Sequence, residues 1–203
     1  MQTMLPQLRI DPDRCAPPDV FQGPDSYSKY ALEIGFGGGE HLAARAQQQP
    51  DTGFIGSEVF VNGVSKLVAA IAAENLTNIR IYPDDVRDLL PRLPAASIDC
   101  VYLLYPDPWP KKRHNKRRFI SPDNLAELYR ILKPGGGFIF ASDIDDYVSW
   151  ALAHMRQHGG FTWTAREADD WRQADADWPG TRYEAKAVKA GRQPTYLHFI
   201  KTV

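Results

Sequence analysis

Residues 98–119 read IDCVYLLYPDPWPKKRHNKRRF, and the rest of the chain is arranged to present this stretch. Ile98–Leu104 is an apolar run bounded by turn residues, the pattern of a buried strand. Pro106 and Pro108 flank Asp107, and Pro110 follows Trp109. Proline fixes φ and drives the residue before it out of the helical region, so the strand stops here and no helix starts at once. Six of the eight residues at 111–118 are Lys or Arg. A carboxylate and an aromatic ring thus sit beside a dense positive patch at a strand's C-terminal edge, where open α/β sheets bind ligands. An isolated basic run reads as a solvated loop or a targeting segment. The strand and the DPW turn in front of this one point instead to a site that handles nucleic acid.

Upstream, Tyr30–Ile34 is a short strand entering Gly35-Phe-Gly-Gly-Gly-Glu, and residues 39–49 read as a helix. Residues 53–58 form a second strand, 64–76 a helix with Leu67, Val68, Ile71 and Ala72 as its buried stripe, and 79–82 a third strand before Pro83-Asp-Asp. Downstream, Ser121 caps a helix with Pro122 at its first position. Leu125, Leu128, Tyr129 and Leu132 supply its core face, and Lys133-Pro-Gly-Gly-Gly ends it. Residues 138–143 are a fifth strand, 145–158 a helix, and 161–166 and 195–201 two closing strands. Residues 169–194 read as a long polar segment containing Trp171 and Trp178. Strand and helix alternate about five times, which predicts an α/β, Rossmann-like, doubly wound and mostly parallel sheet with an antiparallel closing strand.

Residues 1–28 carry Pro6, Pro12, Pro17, Pro18 and Pro24 and are expected to form a loosely structured arm before one domain at 29–203. With 24 basic and 25 acidic side chains the net charge is −1, so the cationic surface is local. Cys15 and Cys100 form no disulfide framework, no stretch has signal-peptide character or membrane-spanning length, and a cytoplasmic protein is expected.

Gly35, Gly37 and Gly39 form GxGxG between the first strand and its helix, which lets the backbone turn tightly and approach a ligand. Glu40 stands where the dinucleotide fingerprint needs glycine or alanine, and no GK[ST] follows. Glu33, Glu58 and Asp84-Asp85 end the first three strands at the same sheet edge. Carboxylates repel phosphates but suit S-adenosylmethionine, with its cationic amino and sulfonium groups, ribose hydroxyls and adenine amine. The natural roles are Glu58 to the ribose diol, Asp85 to the adenine amine, and Glu33 to the glycine loop and amino group. Singly, such acids serve to cap the following helices. No His or Cys cluster has metal spacing, no Cys or Ser has a nucleophile's partner, and the five histidines are scattered as structural or RNA-facing groups.

Taken together, EIGFGGG, the glutamate of GSEV, the aspartate of PDDV, YPDPWPKKRHNKRR, ASD and GTRYE resemble the bacterial tRNA (guanine-N7)-methyltransferase family from about Tyr30 to the C-terminus. The resemblance implies a Rossmann-like class I fold, S-adenosylmethionine as methyl donor, and methylation of a guanine in the tRNA variable loop. It implies cofactor contacts at Glu33, Glu58, Asp85 and Asp107, and substrate contacts at Lys111, Asp143, Thr181, Arg182, Tyr183 and Glu184. It also implies RNA contacts at Arg113, His114, Asn115, Lys116, Arg117 and Arg118. Ser57 stands where the family has an aliphatic residue.

Guanine N7 has a lone pair and no hydrogen, so attack on a sulfonium methyl needs no base. Catalysis is then positioning plus electrostatics. Asp107 is the expected catalytic carboxylate, Asp143 the second candidate, and Glu184 the candidate acceptor for guanine N1–H and its 2-amino group. Two rivals are another RNA-modifying Rossmann methyltransferase and a non-catalytic RNA-binding protein with a degenerate cofactor pocket. The first is disfavoured by KKRHNKRR and TRYE, the second by the intact glycines and acids. Monomer and homodimer both remain open.

Overall fold

The computed structural model describes residues 4–21 and 27–202. The parts of the expected arm at 1–3 and 22–26 lie outside the described residues. Among the described residues, seven strands form one sheet: β1 (Lys29–Ile34), β2 (Thr52–Ser57), β3 (Ile79–Tyr82), β4 (Ile98–Leu104), β5 (Leu132–Ser142), β6 (Phe161–Trp163) and β7 (Thr195–Lys201). Their order is β3-β2-β1-β4-β5-β7-β6. β1 to β5 pair in parallel, and β7 runs antiparallel to both β5 and β6. The chain steps outward from β1 to β3, then crosses back to lay β4 on the other side of β1. That reversal opens a crevice at the C-terminal ends of β1 and β4.

Strand side chains alternate between faces, and both faces are covered. Leu32, Val101, Phe138 and Phe140 pack with Leu125 and Leu128 of helix Pro122–Ile131 and Tyr147 and Met155 of helix Asp145–His158. Ala31, Phe54, Ile79 and Tyr102 pack on the opposite face with Leu42 of helix Glu40–Gln48 and Leu67 and Ile71 of helix Val61–Glu74. Glu33 lies on this second face, one residue beyond Leu32.

The sheet differs from the sequence reading in three places. β5 begins at Leu132 instead of Phe138, because Gly135 takes φ +75° and lets the strand continue through a bulge. The register there shifts between Ile98↔Leu132 and Cys100↔Gly137. β6 stops at Trp163. Residues 169–194, read as a polar segment, contain helices Asp169–Arg172 and Arg182–Lys189. The described arm residues lie against the sheet: Ile10 N–H donates to Ile81 O at 2.9 Å beside the outer strand β3. Ile10, Cys15 and Phe21 are buried there, which shields a strand edge from pairing with other chains.

Candidate active site

The glycine loop is built by φ values that L side chains rarely adopt. Gly35, Gly37 and Gly39 have φ +67°, +60° and +81°. Gly35 N–H donates to Ser57 O at 2.8 Å, fastening the loop to the end of β2. Glu58, just past β2 and 5% exposed, accepts Gly37 N–H on Oε2 at 2.7 Å and Phe60 N–H on Oε1 at 2.9 Å. Each oxygen keeps a further acceptor site. Ser57 Oγ donates to Asp84 O at 3.0 Å, tying β2's end to the loop after β3. An aliphatic residue at 57 could not make that bond.

Asp85 caps the short helix Val86–Leu89, accepting Arg87 N–H at 3.0 Å. Arg87 Nε also lies 2.9 and 3.0 Å from its two oxygens. These side-chain hydrogen bonds hold the Asp85 carboxyl below the usual carboxylate range, against the opposing effect of partial burial. Glu33 is 3% exposed and pairs with His41 Nδ1 at 2.7 Å. His41 is equally buried, which settles it as structural rather than RNA-facing.

The YPDPW turn is held in an unusual shape. Tyr105 and Trp109 have φ +50° and +42°, both left-handed without being glycine, conformations that persist only where surroundings enforce them. Four hydrogen bonds do so here. Tyr105 N–H donates to Ala141 O at 2.7 Å, and Arg118 Nε donates to Pro108 O at 2.8 Å. Asn115, oriented to satisfy its amide, donates to Trp109 O at 3.1 Å and Lys111 O at 3.2 Å. Asp107 is exposed at the apex.

Arg118 requires a correction. It was expected to meet RNA, yet its side chain is 0% exposed, paired with Asp146 and stacked 5.0 Å from both the Tyr147 and Trp150 rings. A guanidinium so enclosed braces the turn and cannot reach a phosphate. Asn115 likewise serves the loop's own backbone. Lys111, Lys112, Arg113, Lys116 and Arg117 are exposed, Arg117 lies 4.8 Å over the Trp109 ring, and His114 meets the same ring edge-on at 5.9 Å.

Thr181 caps helix Arg182–Lys189, its Oγ1 accepting Glu184 N–H at 3.0 Å. This sets Arg182 and Tyr183 against the glycine loop, so that a Cβ on Gly37 would lie 3.1 Å from the Tyr183 ring. Arg182 is 3.8 Å from Glu40. Glu184 accepts the Trp178 indole N–H at 2.8 Å, and Asp143 accepts Arg192 Nε at 2.5 Å. Tyr105 connects this side to the turn: its hydroxyl is pushed far above the ordinary tyrosine range, first by burial, then by Tyr196, Glu184 and Asp143.

A cleft of about 580 Å³ opens over β1, β2 and β4, lined by Gly35, Glu58, Asp85, Asp107, Lys116 and Arg117 among others. It gathers residues from five separate stretches of sequence. Glu33 stands behind it, and Asp143 and residues 181–184 lie across the glycine loop and the YPDPW turn. Arg87, Trp178, Arg192 and Tyr196 were not expected here. No group of His, Cys, Asp and Glu among the described residues could hold a metal ion, and no helix of the described residues is long and apolar enough to cross a membrane. Burial raises the Cys100 thiol to about 11, the opposite of a nucleophile's activation.

A family model described as "Putative methyltransferase" matches residues 28–197. A tRNA (guanine-N(7)-)-methyltransferase of Agrobacterium fabrum is 56% identical over 202 residues, covering 99% of this chain and 87% of that protein. One from Rhizobium meliloti is 54% identical over 200 residues, covering 98% and 86%. Among solved structures, the 16S rRNA methyltransferase KamB aligns with TM-score 0.66 at 16% identity over 87% of this chain and 89% of that one. A variant 16S rRNA (adenine(1408)-N(1))-methyltransferase of Catenulisporales acidiphilia, solved with S-adenosylmethionine, aligns with TM-score 0.64 at 15% identity over 96% and 92%. These two similarities bear on the fold, that of class I S-adenosylmethionine-dependent methyltransferases. At more than half identity over nearly its whole length, the chain belongs to the tRNA (guanine-N(7)-)-methyltransferase family.

Proposed function

We propose that this protein transfers the methyl group of S-adenosylmethionine to N7 of a variable-loop guanine in tRNA, acting in the cytoplasm. The observation that carries this reading is one cleft lined both by the carboxylates of Glu58, Asp85 and Asp107 and by the cations of Lys116 and Arg117. The residues fit the donor. Glu58 retains acceptor capacity on both oxygens for a ribose diol, Asp85 lines the cleft beside apolar Val86 with its carboxylate held by Arg87, and Val59 supplies an apolar wall. Bound there, S-adenosylmethionine supplies an electrophilic sulfonium methyl. Guanine N7 takes it without losing a proton, so the chain's residues need only align the purine and answer the positive charge that builds on it.

Asp107 meets that second need from the apex of the turn. At about 4 Å and an effective dielectric of about 20, a full charge pair is worth roughly 4 kcal/mol. Only the gain between ground and transition state accelerates the step, so about 1–3 kcal/mol is the fairer figure. Glu184, presented by Trp178, accepts N1–H and the 2-amino group, which an adenine lacks in that arrangement. Tritiated methyl transfer to unmodified tRNA, followed by nucleoside analysis, is expected to yield 7-methylguanosine. Label in another nucleoside, or none, would reject the reading.

Replacing Glu58 by Ala is expected to weaken S-adenosylmethionine binding by about 1–2 kcal/mol, since it removes the ribose acceptor and frees Gly37 N–H. Calorimetry checks this, and unchanged affinity would remove Glu58 from the cofactor's contacts.

For RNA, four phosphate contacts from the exposed cations give an expected slope of log affinity against log salt of roughly −3. Lys112→Ala with Arg113→Ala is expected to shrink that slope by about 1.5 while cofactor affinity stays unchanged, because neither residue lines the cleft. An unchanged slope would mean that tRNA docks elsewhere.

A further inference from the structure

The acid behind the cofactor cleft and the acid on the guanine side are linked through one buried histidine. His41 stands in the first turn of helix Glu40–Gln48, directly after the glycine loop. Its Nδ1 is 2.7 Å from Glu33 Oε2, with the two side chains 1% and 3% exposed. Its ring centroid is 5.0 Å from that of Tyr102, edge-on, and 4.8 Å from that of Trp178, tilted by 46°. Trp178 then donates its indole N–H to Glu184 at 2.8 Å and meets Tyr196 edge-on at 5.4 Å.

The chemistry of the ring argues for a purpose. Glu33 as a carboxylate can only accept, so Nδ1 carries the proton. That leaves Nε2 buried with no hydrogen-bond partner among the described residues. Phenylalanine would fill the same space without this cost. What histidine adds is the bond to Glu33, while its ring packs against Trp178. Trp178 belongs to neither helix nor strand, so its placement depends on such contacts.

We propose that His41 is a positioning residue for the methyl transfer, holding Glu33 through Nδ1 and, through the packing of its ring against Trp178, holding Glu184 toward the guanine. This rests on assigning Glu33 to the cofactor and Glu184 to the guanine. The two halves of the role are separable by substitution. His41→Asn keeps an amide donor where Nδ1 stood and loses the ring. His41→Phe keeps a ring and loses the donor. Trp178→Phe keeps a ring and loses the N–H that Glu184 accepts.

The test measures the S-adenosylmethionine Kd by calorimetry and KM and kcat with unmodified tRNA, on the full chain. His41→Phe is expected to raise the cofactor Kd about tenfold with tRNA KM within about twofold, since a buried carboxylate loses its donor. His41→Asn is expected to reverse the pattern, raising tRNA KM about tenfold with cofactor Kd within about twofold. Trp178→Phe should resemble His41→Asn, and the double variant should be no more than about twofold worse than the poorer single, because both break one linkage. A general loss of packing would move both readouts together in both His41 variants, and that result overturns the proposal. Multiplying effects of His41→Asn and Trp178→Phe overturn it as well. Glu184→Gln separates the two levels. If it leaves tRNA KM unchanged, the assignment of Glu184 fails and takes the proposal with it. If it raises KM while His41→Asn does not, the proposal fails alone.

Discussion

In single-turnover reactions, Asp107→Asn is expected to methylate tRNA roughly tenfold to a few hundredfold more slowly than the native protein, the equivalent of about 1–3 kcal/mol. Asparagine keeps the size and one acceptor oxygen and removes the negative charge. The turn should survive, because the bonds that fix it run to the backbone of its neighbours: Ala141 O receives Tyr105 N–H, Pro108 O receives Arg118 Nε, and Trp109 O receives Asn115. Cofactor and tRNA affinities are therefore expected to change much less than the rate. A native rate in the Asn variant would exclude the electrostatic role and move it to Asp143. That residue is less free, being paired with Arg192 at 2.5 Å. Because N7 has no proton to give up, the chemical step should not climb log-linearly between about pH 6 and 8, as it would with a catalytic base.

The parts of this site that were readable in the sequence are those whose cause is local. Three glycines at positive φ, prolines around Asp107 and apolar runs with acids at their ends each carry their own signal. So did the fold, because parallel strands buried on both faces need continuous apolar runs and helices between them. Structure and sequence pattern diverge where a tertiary partner decides. Six cations in one run look alike until the loop folds, and only then does Arg118 turn inward onto Tyr147 and Trp150 while its neighbours stay in solvent. PGGG reads as a terminator, whereas here its glycines make a bulge and β5 starts at Leu132. Helix Arg182–Lys189 carries a local signal inside the segment read as polar. Thr181 and Glu184 have capping-box spacing, but the Glu184 side chain turns to Trp178 instead of back to the cap, so its functional reading concealed its structural one. The link from Glu33 through His41 to Trp178 spans most of the chain and has no local mark.

Gly63→Ala is expected to disable the cofactor site, although residue 63 does not line the cleft. Glycine inside helix Val61–Glu74 is a poor helix former, and alanine there would favour an isolated helix by about 1 kcal/mol. The surroundings reverse that sign. A Cβ on Gly63 would stand 2.1 Å from Gly37 O and 3.2 Å from Glu58 Cγ. The first is backbone and cannot rotate away. Gly37 has little room to retreat, since its N–H is bound by Glu58 Oε2 and Tyr183 packs against its other side. Relief must come from moving the helix off the loop or the loop off Glu58. Overpacking of this kind costs about 1–3 kcal/mol, which outweighs the gain in propensity. The expected net loss of about 1–2 kcal/mol corresponds to a Tm lower by roughly 2–8 °C in a domain of this size. Displacement of Gly37 and Glu58 together should raise the S-adenosylmethionine Kd by roughly tenfold to a hundredfold, more than the stability change alone would suggest. A variant that melts higher than the native protein and binds cofactor as tightly would show that helix propensity prevails, and that the glycine loop yields to the helix rather than being set by it.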